Sequence, residues 1–199
     1  MEFTLKRTMH VMAILLIIAA VTQAIYTALY IAEANVPRQL LWGSEGLIFV
    51  LLAAFAGSAL ADSKRYSLGF SAILVAATLN VVQVGVGLTL FGSFGETAGA
   101  IDGFGPAMSG IVAFSFMVYN AAKILLGLAA LVFGMAKMAQ GAKALGGLTA
   151  FVGVFAMIAN TASMAMGREV FGELPLAGGS GVLATLLLAV CLFGAVQED

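Results

Sequence analysis

Residues 11–31 read VMAILLIIAAVTQAIYTALYI, and the fold turns on whether this is a removable leader or the first crossing of a membrane. A secretory leader places an apolar stretch of about 7–15 residues between a basic start and a small-residue cleavage site. Lys6 and Arg7 resemble such a start, and AEA at 32–34 loosely resembles such a site. The mostly apolar stretch between them runs from Val11 to Ile31. That exceeds a leader and matches the roughly 20 residues needed to cross the hydrocarbon. The expectation is a retained first membrane helix.

The rest of the chain agrees. Of 199 residues, 62% are hydrophobic and 10% charged, and the mean hydropathy is +1.08. Soluble domains carry about 25% charged residues, so lipid is the expected solvent. Five further apolar segments bring the expectation to six spans, at about 10–31, 40–62, 68–92, 110–136, 146–166 and 179–196. They form a single membrane domain, 1–199, an all-α polytopic bundle. The glycine-rich stretch SFGETAGAIDGFGP at 93–106 reads as a loop. AMSGIVAF at 107–114 either extends the fourth helix or forms a separate interfacial turn.

Orientation follows from the cations, because Lys and Arg are enriched in cytoplasmic loops. Lys6, Arg7, Lys64, Arg65, Lys137 and Lys143 fall on one side, Arg38 and Arg168 on the other. Both termini are therefore expected in the cytoplasm, with the protein multi-pass in the inner (plasma) membrane. The far side carries Glu33, Glu96, Asp102, Glu169 and Glu173, an acidic face that attracts cations.

A shift of 80 residues aligns LGFSAILVAATLNVVQVGVGLTLFG (68–92) with LTAFVGVFAMIANTASMAMGREVFG (148–172). Leu68, Ala76, Asn80, Gly87, Phe91 and Gly92 recur as Leu148, Ala156, Asn160, Gly167, Phe171 and Gly172. Helices 2–3 and 4–5 then read as parallel repeats, an arrangement used by transporters. Chance matching in a low-diversity alphabet is the competing explanation.

Ionisable groups at membrane depth are costly and face the bundle interior or water. Two fall there, Glu45 in helix 2 and Lys123 in helix 4. Glu45 precedes Lys64 by 19 residues, about 28 Å of helix at 1.5 Å per residue. If helix 4 runs on to Lys143, Lys123 lies level with it and the two could pair across the helix interface, Glu45 then neutralising the lysine. The alternatives are that Lys123 bonds Asn or backbone oxygens and that Glu45 reaches the headgroups. Neutral polar groups surround them: Asn80 with Gln83, Asn120 with Lys123, and Asn160 with Ser163, each pair at i, i+3 on one helix face. Helix 1 adds Gln23, Tyr26, Thr27 and Tyr30. Turned inward, these stripes line a polar interior open mainly to the far side; alternatively they are plain interhelical hydrogen bonds. Small residues at Ala53, Gly57 and Ala61, and at Gly127, Ala130 and Gly134, suit close helix packing.

Several chemistries are excluded. His10 and Cys191 are the only residues of their kinds, so a bis-histidine haem or a His/Cys zinc site has no ligand set. MHVM at 9–12 offers soft sulfur to Cu(I), but Met fills cores routinely. No metal or cofactor is expected. No paired carboxylates or Ser/His/Asp set lies in the membrane, which disfavours an enzyme. A net charge of −1 gives nucleic acid no purchase. Two functions stand: a small transporter or channel for a small solute or ion, with a polar site between helices 2–5 formed by Glu45, Lys123, Asn80, Gln83, Asn120, Asn160, Ser163 and Gln23; or an accessory subunit without chemistry of its own. Partners beyond the lipid bilayer are then other membrane subunits or further copies of the chain.

Overall fold

A computed structural model describes residues 4–32, 38–101, 103–167, 169–172 and 174–194. Arg168, Glu33, Asp102, Glu173 and the side chain of Tyr30 lie outside the described residues. The described residues form six helices: α1 (Leu5–Ile31), α2 (Arg38–Asp62), α3 (Ser67–Ala100), α4 (Gly105–Ala139), α5 (Lys143–Met166) and α6 (Leu176–Phe193). All six are long and apolar enough to span a membrane, and no strand occurs among the described residues.

The expected loop at 93–106 is mostly helix. α3 continues through SFGETAGA to Ala100, and α4 begins at Gly105 with a proline in its first turn. Residues 107–114 thus belong to α4. Glycine costs a helix only about 1 kcal/mol relative to alanine, and here the hydroxyls do not compete with the backbone. Thr89, Ser93 and Thr97 each donate to the carbonyl four residues earlier, at 2.7, 3.3 and 2.8 Å. Phe94 stacks on Phe104 at 5.5 Å between centroids and closes the α3–α4 hairpin. With 34 and 35 residues, α3 and α4 are each about 50 Å long, well beyond the roughly 30 Å of hydrocarbon.

Successive helices run in opposite directions. α1, α2, α3, α4 and α6 close a ring, each packed on the next, and α5 fills the groove between α4 and α6. Lys6, Arg7, Lys64, Arg65, Lys137 and Lys143 all fall at one end, called the basic end below. There Lys137 donates to the carbonyl of Gly194, and His10 meets the Phe193 ring edge-on at 5.5 Å, which fastens α4 and α1 to the end of α6.

The tightest joint is α4 on α5. A Cβ on Gly127 would come within 2.7 Å of the Gly153 carbonyl oxygen, and one on Gly134 within 2.8 Å of the Gly146 carbonyl oxygen. The contacts are reciprocal: a Cβ on Gly153 would meet the Gly127 carbonyl at 2.6 Å. The two backbones touch, as small-residue strips allow in lipid, where dispersion contact rather than water exclusion drives helix association. Gly141, at φ 94°, makes the tight turn between them in the left-handed region open to glycine.

Candidate functional site

The interior has two storeys. Nearest the basic end it is apolar: Met12, Leu16, Phe49, Leu52, Phe70, Ile73, Leu126, Phe133, Leu188 and Leu192 are buried there. Tyr66, Phe70 and Phe133 stack into a plug, and Phe133 occupies the space that a Cβ on Gly69 would need. The storey nearest the opposite end holds Gln23, Glu45, Asn80, Ser115, Asn120, Lys123, Asn160, Ser163 and Ser180, all buried. The polar stripes of the sequence turn away from lipid, with three exceptions: Gln83 and Tyr26 are half-buried and Thr27 is exposed.

Lys123 is fully buried. Its ammonium donates to Gln23 Oε1 on α1 and sits 5.2 Å from the centroid of the Tyr119 ring, one turn back on α4. Its stem lies against α6, where a Cβ on Gly181 would come within 2.7 Å of Lys123 Cδ. A cation over an aromatic face is attracted by the ring quadrupole, so Gln23 and Tyr119 together make the charge tolerable at this depth.

Glu45 is not its direct partner, which corrects the expected pairing. The two charges act on one another but form no ion pair, and Glu45 Oε1 is buried without a hydrogen-bond partner. Neither α1 nor α2 packs against α4, so the Lys123 side chain reaches across the interior, and it ends on Gln23 of α1. Thr22 is within hydrogen-bonding reach of the Glu45 carboxyl, yet its hydroxyl also donates to the Ala19 carbonyl at 3.0 Å. One hydroxyl proton serves one strong bond at a time, so the carboxylate is under-partnered.

Two asparagine oxygens share that condition. Asn80 and Asn160 each donate to the carbonyl four residues earlier, Ala76 at 2.9 Å and Ala156 at 2.8 Å. Each leaves its Oδ1 buried and unpartnered. Asn160 also donates to the Ala177 carbonyl at 3.0 Å, which ties α5 to α6. The 80-residue offset therefore matches two asparagines in the same local geometry. It does not match the glycines: Gly87 lies inside α3, whereas Gly167 ends α5 at φ 95°.

The structure brings together Gln23, Glu45 and Lys123 and places α6 behind them. The centre of the site is therefore between α1, α2, α4 and α6 rather than between helices 2–5. Gln83 reaches Ser115 across α3–α4 at 3.5 Å. Asn120 and Ser163 line a separate cleft between α4 and α5. Trp42 and Tyr26, one turn beyond Glu45 and Gln23, form a roof: their ring centroids are 5.5 Å apart, and Phe91 meets Trp42 at 5.7 Å. Trp42 fits because position 87 is glycine; a Cβ there would lie 2.6 Å from the indole. Trp42, Tyr119 and Thr22 are site residues that the sequence reading missed. Trp42 at i−3 from Glu45 and Tyr119 at i−4 from Lys123 had the right helical spacing to be found; Gly181 carried no local signal.

Among the described residues no group of three or more His, Cys, Asp or Glu side chains could hold a metal ion. Compared with protein-family models, curated sequences and solved structures, the chain matches none.

Proposed function

We propose that this chain is a small multi-pass transporter or channel of the plasma membrane, with its basic end and both termini in the cytoplasm, and that Gln23, Glu45 and Lys123 form the site a small solute or ion engages. The carrying observation is that a buried cation and a buried carboxylate share one interior without neutralising each other by contact. Orphaned buried polar atoms cost about 1–3 kcal/mol each, and charges more. Glu45 Oε1 and Asn80 Oδ1 are acceptors that a donor-bearing solute, a cation or water satisfies. Intramembrane charges of this kind mark substrate and ion pathways. Trp42 and Tyr26 close the site toward the far side and act as its gate, and the aromatic plug closes the other side. The matched asparagines fit a parallel-repeat transporter plan.

The second reading, an accessory subunit, draws support from α2. Its span has the smallest buried share of the six, and a Cβ on Gly57 would meet nothing within 4 Å. Ala53 packs against the core, but Gly57 and the exposed Ala61 are left free to seat a neighbouring helix.

Cysteine accessibility separates the two. In a Cys191→Ser background, Asn80→Cys and Gln83→Cys react with a membrane-impermeant thiol reagent added to the far side, and Trp42→Ala speeds the reaction. If neither position reacts from either side, even with Trp42 removed, the transport reading fails and the packing subunit stands.

A further inference from the structure

The two halves of the α4–α5 joint differ. From Gly127 to Gly134 the backbones touch, but toward the opposite end the helices part around a cleft of about 520 Å3 lined by Val112, Ala113, Phe116 and Met117 of α4 and Met164 of α5, among others. That volume lies within the range of about 300–1,000 Å3 in which small molecules bind. Three of these residues, Phe116, Met117 and Met164, are 40%, 46% and 42% exposed. They lie on the flank of the bundle, so the cleft opens sideways, where acyl chains surround a spanning protein.

Three polar side chains line this apolar cleft, the exposed Ser109 and the buried Asn120 and Ser163. Asn120 and Ser163 are 4% and 7% exposed, both border it, and neither side chain hydrogen-bonds to another described residue. Polar groups on residues this buried gain from a hydrogen-bonding partner, and these two border a space that can hold one. Among the described residues no charged side chain lines the cleft. The nearest cation on the same helix face, Lys123, is fully buried and committed to Gln23. Among the described lining residues an anionic or cationic end group would meet no counter-charge, whereas a hydroxyl, carbonyl or amide would satisfy both Asn120 and Ser163. The Asn amide donates twice and accepts, and the Ser hydroxyl does either.

We propose that the α4–α5 cleft binds an uncharged amphiphile taken from the membrane, an apolar body ending in one neutral hydrogen-bonding group, and that Asn120 and Ser163 hold that group. This site is distinct from the Lys123 cluster and does not rest on the transport reading.

The test is photolabelling of the full chain in phosphatidylcholine nanodiscs with three diazirine probes of equal chain length: an alcohol, a carboxylic acid and a hydrocarbon. The alcohol labels the peptides containing Met117 and Met164 most strongly. Its labelling falls about tenfold in Asn120→Leu/Ser163→Ala, as expected when a site built for a polar group loses it. Ala113→Phe, at an exposed position of the cleft wall, blocks labelling without touching the core, so the proposal does not depend on the double variant folding. Equal labelling by the three probes, meaning adventitious filling by any lipid chain, overturns it. So does alcohol labelling that survives Ala113→Phe.

Discussion

The half of the bundle nearest the basic end and the half beyond it are built from the same six helices but obey different rules. The first is apolar, glycine-seamed and aromatic-plugged, with polar side chains such as Thr149 bonded locally, to the Leu145 carbonyl at 2.8 Å, and one buried unpartnered oxygen, Thr8 Oγ1. The second buries a lysine, a glutamate and several amides, leaves three of their oxygens unpartnered, and lets α4 and α5 part. Hydrophobicity alone cannot hold helices together in lipid, so the first half supplies close backbone contact. The second half spends that stability on polar groups that no folding requirement explains. α4 belongs to both: Gly127–Gly134 grips α5, and one turn away Lys123 faces the ring.

Breaking the tight half gives the largest effect. Gly153→Leu places a branched side chain against the Gly127 carbonyl and the Leu131 backbone, where no flexible side-chain end can yield. The cost exceeds the about 1–3 kcal/mol usual for overpacking, because the whole helix must move. The folded protein is lost, read as loss of a monodisperse elution peak in detergent. Gly57→Leu, the same change on the open face of α2, leaves the melting midpoint of the isolated chain unchanged. Equal melting of the two variants would show that the seam does not hold the bundle.

Within the polar half, the partner of Lys123 is the next test. Lys123→Met leaves Gln23 Oε1 without its donor, about 1–3 kcal/mol. Adding Gln23→Leu removes that orphan, and the double variant melts above the single one, as the removal of both members of a buried polar pair allows. Adding Glu45→Gln in place of Gln23→Leu recovers less, since Glu45 makes no bond to the lysine. Additive losses for Lys123 and Gln23 would dissolve the pair; a larger recovery with Glu45 would restore the direct ion pair that the sequence suggested.

That misassignment shows what a sequence carries. The spans were legible because about 20 apolar residues have one use, and the inward turn of Asn80, Asn160, Glu45 and Lys123 followed from the cost of facing lipid. Which inward groups meet was not legible. Depth along a helix follows from residue count, but azimuth and neighbour order do not, and here Lys123 ends on Gln23 of α1 although neither α1 nor α2 packs against α4. The loop expected at 93–106 failed for another reason: glycine content marks a turn only weakly when Thr89, Ser93 and Thr97 bond back along the helix and Phe94 finds Phe104.

The smallest effect separates the two matched asparagines. Both bond the carbonyl four residues earlier, an acceptor already used by the helix, so that bond adds little. Only Asn160 makes a second bond, to Ala177 on the next helix, and interhelical hydrogen bonds in membranes average about 0.6 kcal/mol. Asn80→Leu, which removes an unpartnered oxygen and loses no tertiary bond, leaves the melting midpoint unchanged or raised. Asn160→Leu lowers it slightly, because α6 loses a tie to α5. A matching drop in both would mean that Asn80 holds a partner as well, and the natural place to look is the space toward Glu45 and Lys123, where a bound solute or water would accept and donate in its stead.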